Sequence, residues 1–373
     1  MENPAQIAVV VVALGFALGL VFGAVAHKTG FCAMGAVSDV VNMGHWNRMR
    51  MWVLAIAVAV LGAGALAATG SVDLTRSFYT GERLTWLSHL VGGALFGVGM
   101  TLASGCGSRN LVRLGGGNLK SFIVVLMLAA TAYMTMKGAL APLRVQVLDS
   151  VALHLPAGQD LPRLLSAGLG IEPSTLRWLL PALVFAALFT FVAAGRDFRP
   201  DGDAWLGGTV IGATIVGGWY VSGHLGHLFE HPETLEEVYL ATNSRRPESL
   251  TYVGPVAYTL ELGLLWTDTS LKLTFGIASV LGTFAGSLLY AVVSGNFRWE
   301  GFGSPADLGN HLLGGALMGF GGVTAVGCTI GQGISGFSTL AIGSMLTFAA
   351  LIAGAAATMK FLYWRMLRAP APG

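Results

Sequence analysis

Apolar residues fall along this chain in long runs separated by short polar stretches. Runs of the length that carries a helix across a hydrocarbon core lie near 6–26, 51–70, 89–105, 121–138, 177–194, 205–222, 271–294, 310–326 and 340–363. Two further apolar stretches, 29–44 and 252–266, are too short or too broken to span and read as re-entrant or interfacial pieces. The pattern predicts an all-α polytopic membrane protein with about nine transmembrane helices plus short re-entrant helices.

Composition agrees. Of the 373 residues 54 % are hydrophobic and only 11 % charged, against about 25 % charged in soluble domains, and the mean hydropathy is +0.68. So few charges cannot cover a soluble surface of this size, and lipid contact removes the need. The 53 glycines are about twice the usual share and suit closely packed or broken helices. A net charge of +2 with no basic run points to no nucleic-acid partner. No GxxxxGK[ST] motif is present, which argues against direct ATP hydrolysis. No Lys or Arg precedes Lys28 and no small-residue cleavage pattern follows a short apolar core, so the first span is expected to stay in the protein.

Basic residues set the expected orientation. Lys28, Arg48, Arg50, Arg109, Arg113, Lys120, Arg196, Arg199 and Arg298 fall in connections on one side, with Lys360, Arg365 and Arg368 at the C-terminal end. The longer connections, near 139–176 and 223–270, hold most of the acids, including Glu230, Glu233, Glu236 and Glu237. An outside N-terminus and a cytoplasmic C-terminus follow.

The chain also repeats itself. HLVGGALFGVGMTLASGC, from His89 to Cys106, matches HLLGGALMGFGGVTAVGC, from His311 to Cys328, over 18 residues without a gap. Shared composition would not place His and Cys in register. Four spans before the first long loop, one span left over and four after it force the two halves into opposite orientations, an inverted-topology (4+1+4) repeat of the kind found in transporters. The expected division is 1–140 for the first repeat, 141–203 for an external loop and linking helix, 204–363 for the second repeat and 364–373 for a cytoplasmic tail. Gly19 and Gly23 correspond weakly to Gly208 and Gly212.

All three cysteines sit in glycine-rich breaks: TGFCAMGA around Cys32, SGCGSRN around Cys106 and VGCTIGQGISG around Cys328. Their odd number and lack of CxxC spacing give neither a disulfide framework nor a zinc site, and no metal or cofactor is expected. One buried cysteine is usually a small hydrophobe; three at breaks, two of them repeat-equivalent, point to function. Gly105, Gly107, Gly327 and Gly331 permit unwound backbone, which at membrane depth survives only where protein or a water-filled path satisfies it. A helix resuming after a break presents free N–H groups and its positive dipole end to an anion. Ser108 and Asn110 after Cys106, and Thr329 and Gln332 after Cys328, add donors. A thiol is a weak, polarisable partner for sulfur, and transport needs binding that is weak enough to release.

The segments Gly30-Phe31-Cys32, Gly105-Cys106-Gly107-Ser108-Arg109-Asn110 with Arg113 to Ser121, and Gly327-Cys328-Thr329-Ile330-Gly331-Gln332-Gly333-Ile334-Ser335-Gly336 resemble the YeeE/YedE family of bacterial inner-membrane sulfur transporters, over roughly residues 7–138 and 205–355. The resemblance implies thiosulfate uptake through the inner membrane, pore cysteines at Cys32, Cys106 and Cys328, and an hourglass fold whose short helices point at a central constriction. It also implies a small cytoplasmic sulfur carrier of the TusA type as a partner.

Other readings stay open at this level. A membrane sulfurtransferase would carry a persulfide on Cys106 or Cys328, and related proteins handle other sulfur or selenium species. A soft-metal channel is disfavoured by the absence of Met- or His-rich tracts. Arg109, Arg113 and Lys120 read equally as positive-inside anchors and as attraction for an anion or an acidic partner. His89 and His311 read as satisfied interfacial histidines, Lys28 as drawing an anion or snorkelling, and Glu261 as an acid that must face water or have a role.

Overall fold

A computed structural model describes residues 3–170 and 172–368; it is predominantly helical, and its only named strands among the described residues are four of two residues each. In chain order the helices are α1 (Pro4–Thr29), α2 (Ala33–Ser38), α3 (Asn47–Ala68), α4 (Trp86–Leu102), α5 (Gly107–Gly115), α6 (Leu119–Lys137), α7 (Ala141–Leu143), α8 (Leu161–Leu169), α9 (Pro173–Ala193), α10 (Gly202–Tyr220), α11 (Gly254–Leu264), α12 (Phe275–Val293), α13 (Pro305–Thr324) and α14 (Ile342–Arg368). Between α13 and α14 residues 329–338 form one more short helix, with a π turn at Gly331–Gly336; this is the Cys328 helix. Eight of the described helices are long and apolar enough to cross a membrane. The run at 310–326 is α13, 20 residues long but less apolar than those eight. The stretches 29–44 and 252–266 become the short α2, extended by a π turn at Asp39–Met43, and the short α11. The boundary expected at 363 falls inside α14, which runs on to Arg368; the rest of the expected tail, 369–373, lies outside the described residues.

Local signals start and stop these helices. Asn3, Asn118, Asp201, Thr274 and Ser304 each accept a first-turn N–H on a side-chain oxygen, at α1, α6, α10, α12 and α13. Helix α1 ends on Gly30 in the left-handed region (φ 65°). Connections gather at two faces. On one, Arg83 and Leu84 pair antiparallel with His154 and Leu153, His227 and Leu228 pair with Tyr239 and Val238, and Asp160 bridges Ala341. On the other the turns are short: Asn118 bridges Glu300, and the Asn47 amide bonds the Asp197 carbonyl at 3.3 Å.

The centre is a glycine-on-glycine crossing of α4 and α13. A Cβ on Gly92 would come 2.7 Å from the Gly321 carbonyl oxygen, and one on Gly99 would come 2.6 Å from that of Gly314; the reverse approaches are equally tight. As α4 numbers rise their partners fall, so the helices run antiparallel. Gly92 and Gly314 are equivalent in the repeat, and so are Gly99 and Gly321. Contacts that exchange into one another between antiparallel helices are what a two-fold axis perpendicular to those helices generates. The remaining packing obeys the same exchange: α4 lies on α14 as α13 lies on α6, and α1 lies on α12 as α10 lies on α3. Without a hydrophobic driving force between helices in lipid, such close backbone approach supplies the association.

A side chain at this crossing must push the repeats apart. Gly99→Val and Gly314→Val are expected to cost about 1–3 kcal/mol or more, read as a lowered melting temperature in detergent, whereas Gly168→Val, where a Cβ meets nothing within 4 Å, should stay within about 0.5 kcal/mol of the parent.

Candidate functional site

The two repeat-equivalent breaks have the same construction. Helix α4 ends at Leu102 and α13 at Thr324, and two residues on, Ser104 (φ 54°) and Val326 (φ 60°) occupy the left-handed region at the same repeat position. For a β-branched valine that conformation is strained. Each break frees backbone carbonyls in a low-dielectric interior, where they need partners. Asn110 donates to the Gly105 and Cys106 carbonyls at 2.7 and 3.2 Å, and is oriented by Ser121, which donates to its Oδ1 at 3.0 Å. Gln332, at the equivalent position, donates to the Ala325 carbonyl at 2.6 Å. Arg113 donates to the Ser104 carbonyl at 3.3 Å. The amide donors of Asn110 and Gln332 are therefore spent on the breaks, and Gln332 Oε1 and the hydroxyls of Thr324 and Thr329 are buried here without a partner among the described residues.

Each cysteine begins a short helix and is buried and free of disulfides. Cys32 caps α2, its sulfur accepting the Gly35 N–H at 3.3 Å. Cys106 caps α5, with its sulfur 3.3 Å from Ser108 Oγ. Cys328 begins the Cys328 helix, its sulfur accepting the Gly331 N–H at 3.3 Å, with Thr251 Oγ1 at 3.9 Å. Cys106 stands within electrostatic reach of both other thiols. The thiols thus form a connected group with Cys106 between the other two, and three helix N-termini direct their dipoles and N–H groups into it.

Gly107 keeps the start of α5 narrow: a Cβ there would sit 3.2 Å from Leu128. Charge is unequal around the group. Arg109 lies within electrostatic reach of Cys32 and His27 and has no ion pair among the described residues. Its neighbours are engaged: Arg113 with Glu300 at 3.7 Å, Lys120 with Asp307 at 2.7 Å, Lys28 with Asp203 at 3.5 Å and Arg48 with Asp39 at 3.4 Å. At the Cys328 end a cavity of about 240 Å³ reaches Thr251 and Gly327, bounded by Phe78, Arg144, Glu248 and Val326. It shares Asn243 and Tyr258 with a wider cavity of about 710 Å³ on the same face. Burial raises the Glu248 carboxyl to about 7, against hydrogen bonds from Ser244 and the backbone of Asn243 and Ser244 that favour its charged form.

The remaining sequence candidates have structural partners. Glu261 accepts from Lys137 and from Tyr133, each at 2.9 Å. His89 pairs with Thr347 and His311 with the Asp307 carbonyl, both at 2.7 Å. Three residues close to Cys328 carry no mark in the sequence that singles them out one by one: Thr251, Tyr252 and Tyr79. The first two enter the α11 half-helix, whose N-cap, Val253, matches Cys32 at the start of α2; the repeat itself is the signal that could find them. Tyr79 comes from the 69–85 loop and has no local signal.

A family model described as sulphur transport matches residues 28–357. The thiosulfate transporter TsuA of Spirochaeta thermophila is 27 % identical over 353 residues, covering 91 % of this chain and 96 % of that protein. The thiosulfate transporter TsuA of Escherichia coli is 26 % identical over 339 residues, covering 86 % of each.

Because Asn110 holds two carbonyls of the first break, Asn110→Ala is expected to cost about 1–3 kcal/mol and to lower the melting temperature measurably. Ser108→Ala, which removes only a long contact to sulfur, should cost less than about 1 kcal/mol.

Proposed function

The chain belongs to the sulphur transport family, and on that premise we propose that it takes up thiosulfate across a bacterial inner membrane along Cys328, Cys106 and Cys32. The names of the two relatives support the substrate. The observation that carries the mechanism is the convergence of three buried thiols, from three distant positions, on three helix N-termini. In this reading the face with the cavities of about 240 and 710 Å³ is external and the face with Arg109 is cytoplasmic, as the positive-inside rule requires.

The site is built to hold an anion loosely. Helix N-termini offer partial positive charge without a full cation at Cys328 or Cys106. The thiols are soft partners for the terminal sulfur, and Ser108 and Thr329 present hydroxyls to the oxygens. Glycines at 105, 107, 327 and 331 keep the breaks narrow enough for backbone N–H groups to approach the ion. Arg109, unpaired beside Cys32, draws the ion inward, and a TusA-type carrier on that side receives it. Each handover is non-covalent, so no bond is made and no catalytic residue is needed.

Thiosulfate-dependent growth of a sulfur-uptake-deficient bacterium tests this, with the carrier protein supplied. The parent chain should restore growth, and Cys106→Ala and Cys328→Ala at matched expression should not; growth of both variants at the parental rate would remove the thiols from the path. Arg109→Gln should lower uptake at limiting thiosulfate by about tenfold with expression unchanged. Glu248 is neutral below about pH 7 and charged above it, so a carboxylate forms in the external cavity as the pH rises. Uptake should therefore fall as external pH passes upward through about 7, and Glu248→Gln should flatten that profile.

A further inference from the structure

The Cys328 helix is surrounded by polar groups whose hydrogen-bonding capacity is unspent. The hydroxyls of Tyr79, Thr329 and Ser344 and the Gln332 carbonyl oxygen are all buried without a partner among the described residues. Buried polar groups are normally satisfied, so four such atoms about one helix need an explanation.

Tyr79 is the informative member, because its ring is fixed and its hydroxyl is not. The ring packs against Phe78 (centroids 4.1 Å apart) and edge-on to Trp219 (6.2 Å), and Trp219 is held by its N–H to Ser338 at 3.0 Å. It lies along the Cys328 helix over two glycines: a Cβ on Gly336 would sit 2.9 Å from its Cδ1, and one on Gly331 would sit 3.5 Å from its hydroxyl. The hydroxyl therefore points toward the Cys328 end, within electrostatic reach of that thiol. Thr251 Oγ1 presses on the same Gly331 and stands 3.9 Å from the sulfur. The neighbouring Phe78 lines the cavity that reaches Thr251 and Gly327, the latter next in sequence to Cys328.

A sulfur oxyanion has one soft end and several hard ones, and the site offers both kinds of partner. Resting on the thiosulfate reading, we propose that the Tyr79 hydroxyl donates a hydrogen bond to an oxygen of the ion while its sulfur faces Cys328. Tyr79 thereby favours a sulfur oxyanion over a sulfur anion that lacks oxygen. A hydroxyl bound to a charged acceptor is among the stronger hydrogen bonds, and its loss is felt as about tenfold or more in affinity.

The test is uptake of ³⁵S-thiosulfate by proteoliposomes holding the full chain or its Y79F variant and enclosing the carrier protein, with thiocyanate, a sulfur-terminated anion without oxygen, as competitor. Y79F keeps the ring and should melt as the parent does. Its KM for thiosulfate is expected to rise about tenfold, with the maximal rate changing less. The preference for thiosulfate over thiocyanate should narrow by the same factor. A folded Y79F with parental KM and parental preference overturns the proposal and leaves thiosulfate transport standing. Parent vesicles that take up no thiosulfate overturn both. Should Y79F fail to fold, 3-fluorotyrosine placed at position 79 strengthens the donor and should lower KM; an unchanged KM overturns the proposal.

Discussion

Backbone that leaves a helix inside a bilayer must find its own hydrogen-bond partners, and the site depends on how this chain meets that constraint twice. Asn110 and Gln332 occupy the same repeat position and turn back onto the carbonyls of their own breaks. With those carbonyls satisfied, the chain can restart as α5 and as the Cys328 helix at membrane depth, and the restart exposes the N–H groups and positive dipole that suit an anion. The amide N–H groups of Asn110 and Gln332, which look like donors to a ligand in the sequence, are engaged by the breaks, while the thiols and the Thr329 hydroxyl are not.

The glycine crossing of α4 and α13 brings the two breaks together. Because each glycine approaches the opposite backbone, the helices sit closer than any side chain would allow. The repeats need not have the same chemistry to fit this frame. Position for position, Arg109 after Cys106 matches Gly331 after Cys328. At the first, the Arg109 guanidinium lies within electrostatic reach of Cys32 and His27; at the second, the missing side chain admits Thr251 and Tyr79. Likewise Cys32 caps one half-helix where Val253 caps the other. A two-fold frame carrying different side chains at the same positions makes the two ends of the thiol group unlike: hydroxyl-rich at Cys328, cationic beside Cys32.

The thiols have only weak partners. None of the three sulfurs pairs with a full positive charge at hydrogen-bond distance; the partners are backbone N–H groups and hydroxyls at 3.3–3.9 Å. Glu248, which lines the Cys328 cavity, has its carboxyl raised by burial to about 7, which makes the charge of that cavity responsive to pH near neutrality.

The amino-acid sequence by itself determined the helices, the breaks and the repeat. Spans follow from runs of apolar residues long enough to cross lipid, and even the half-helices at 29–44 and 252–266 are legible because they are apolar yet too short. The match of His89–Cys106 to His311–Cys328 marks two equivalent breaks from the order of residues alone. What the sequence left open were relations between distant segments: that Asn110 folds back on its own break, that Arg113 and Lys120 are paired while Arg109 is not, and that Tyr79, from a loop with no distinguishing composition, lies over Gly331 and Gly336. Only the tertiary structure decided these, because hydrophobic run length is a local property of the chain. Whether a polar atom is spent or free depends instead on which partners packing brings within about 3 Å of it.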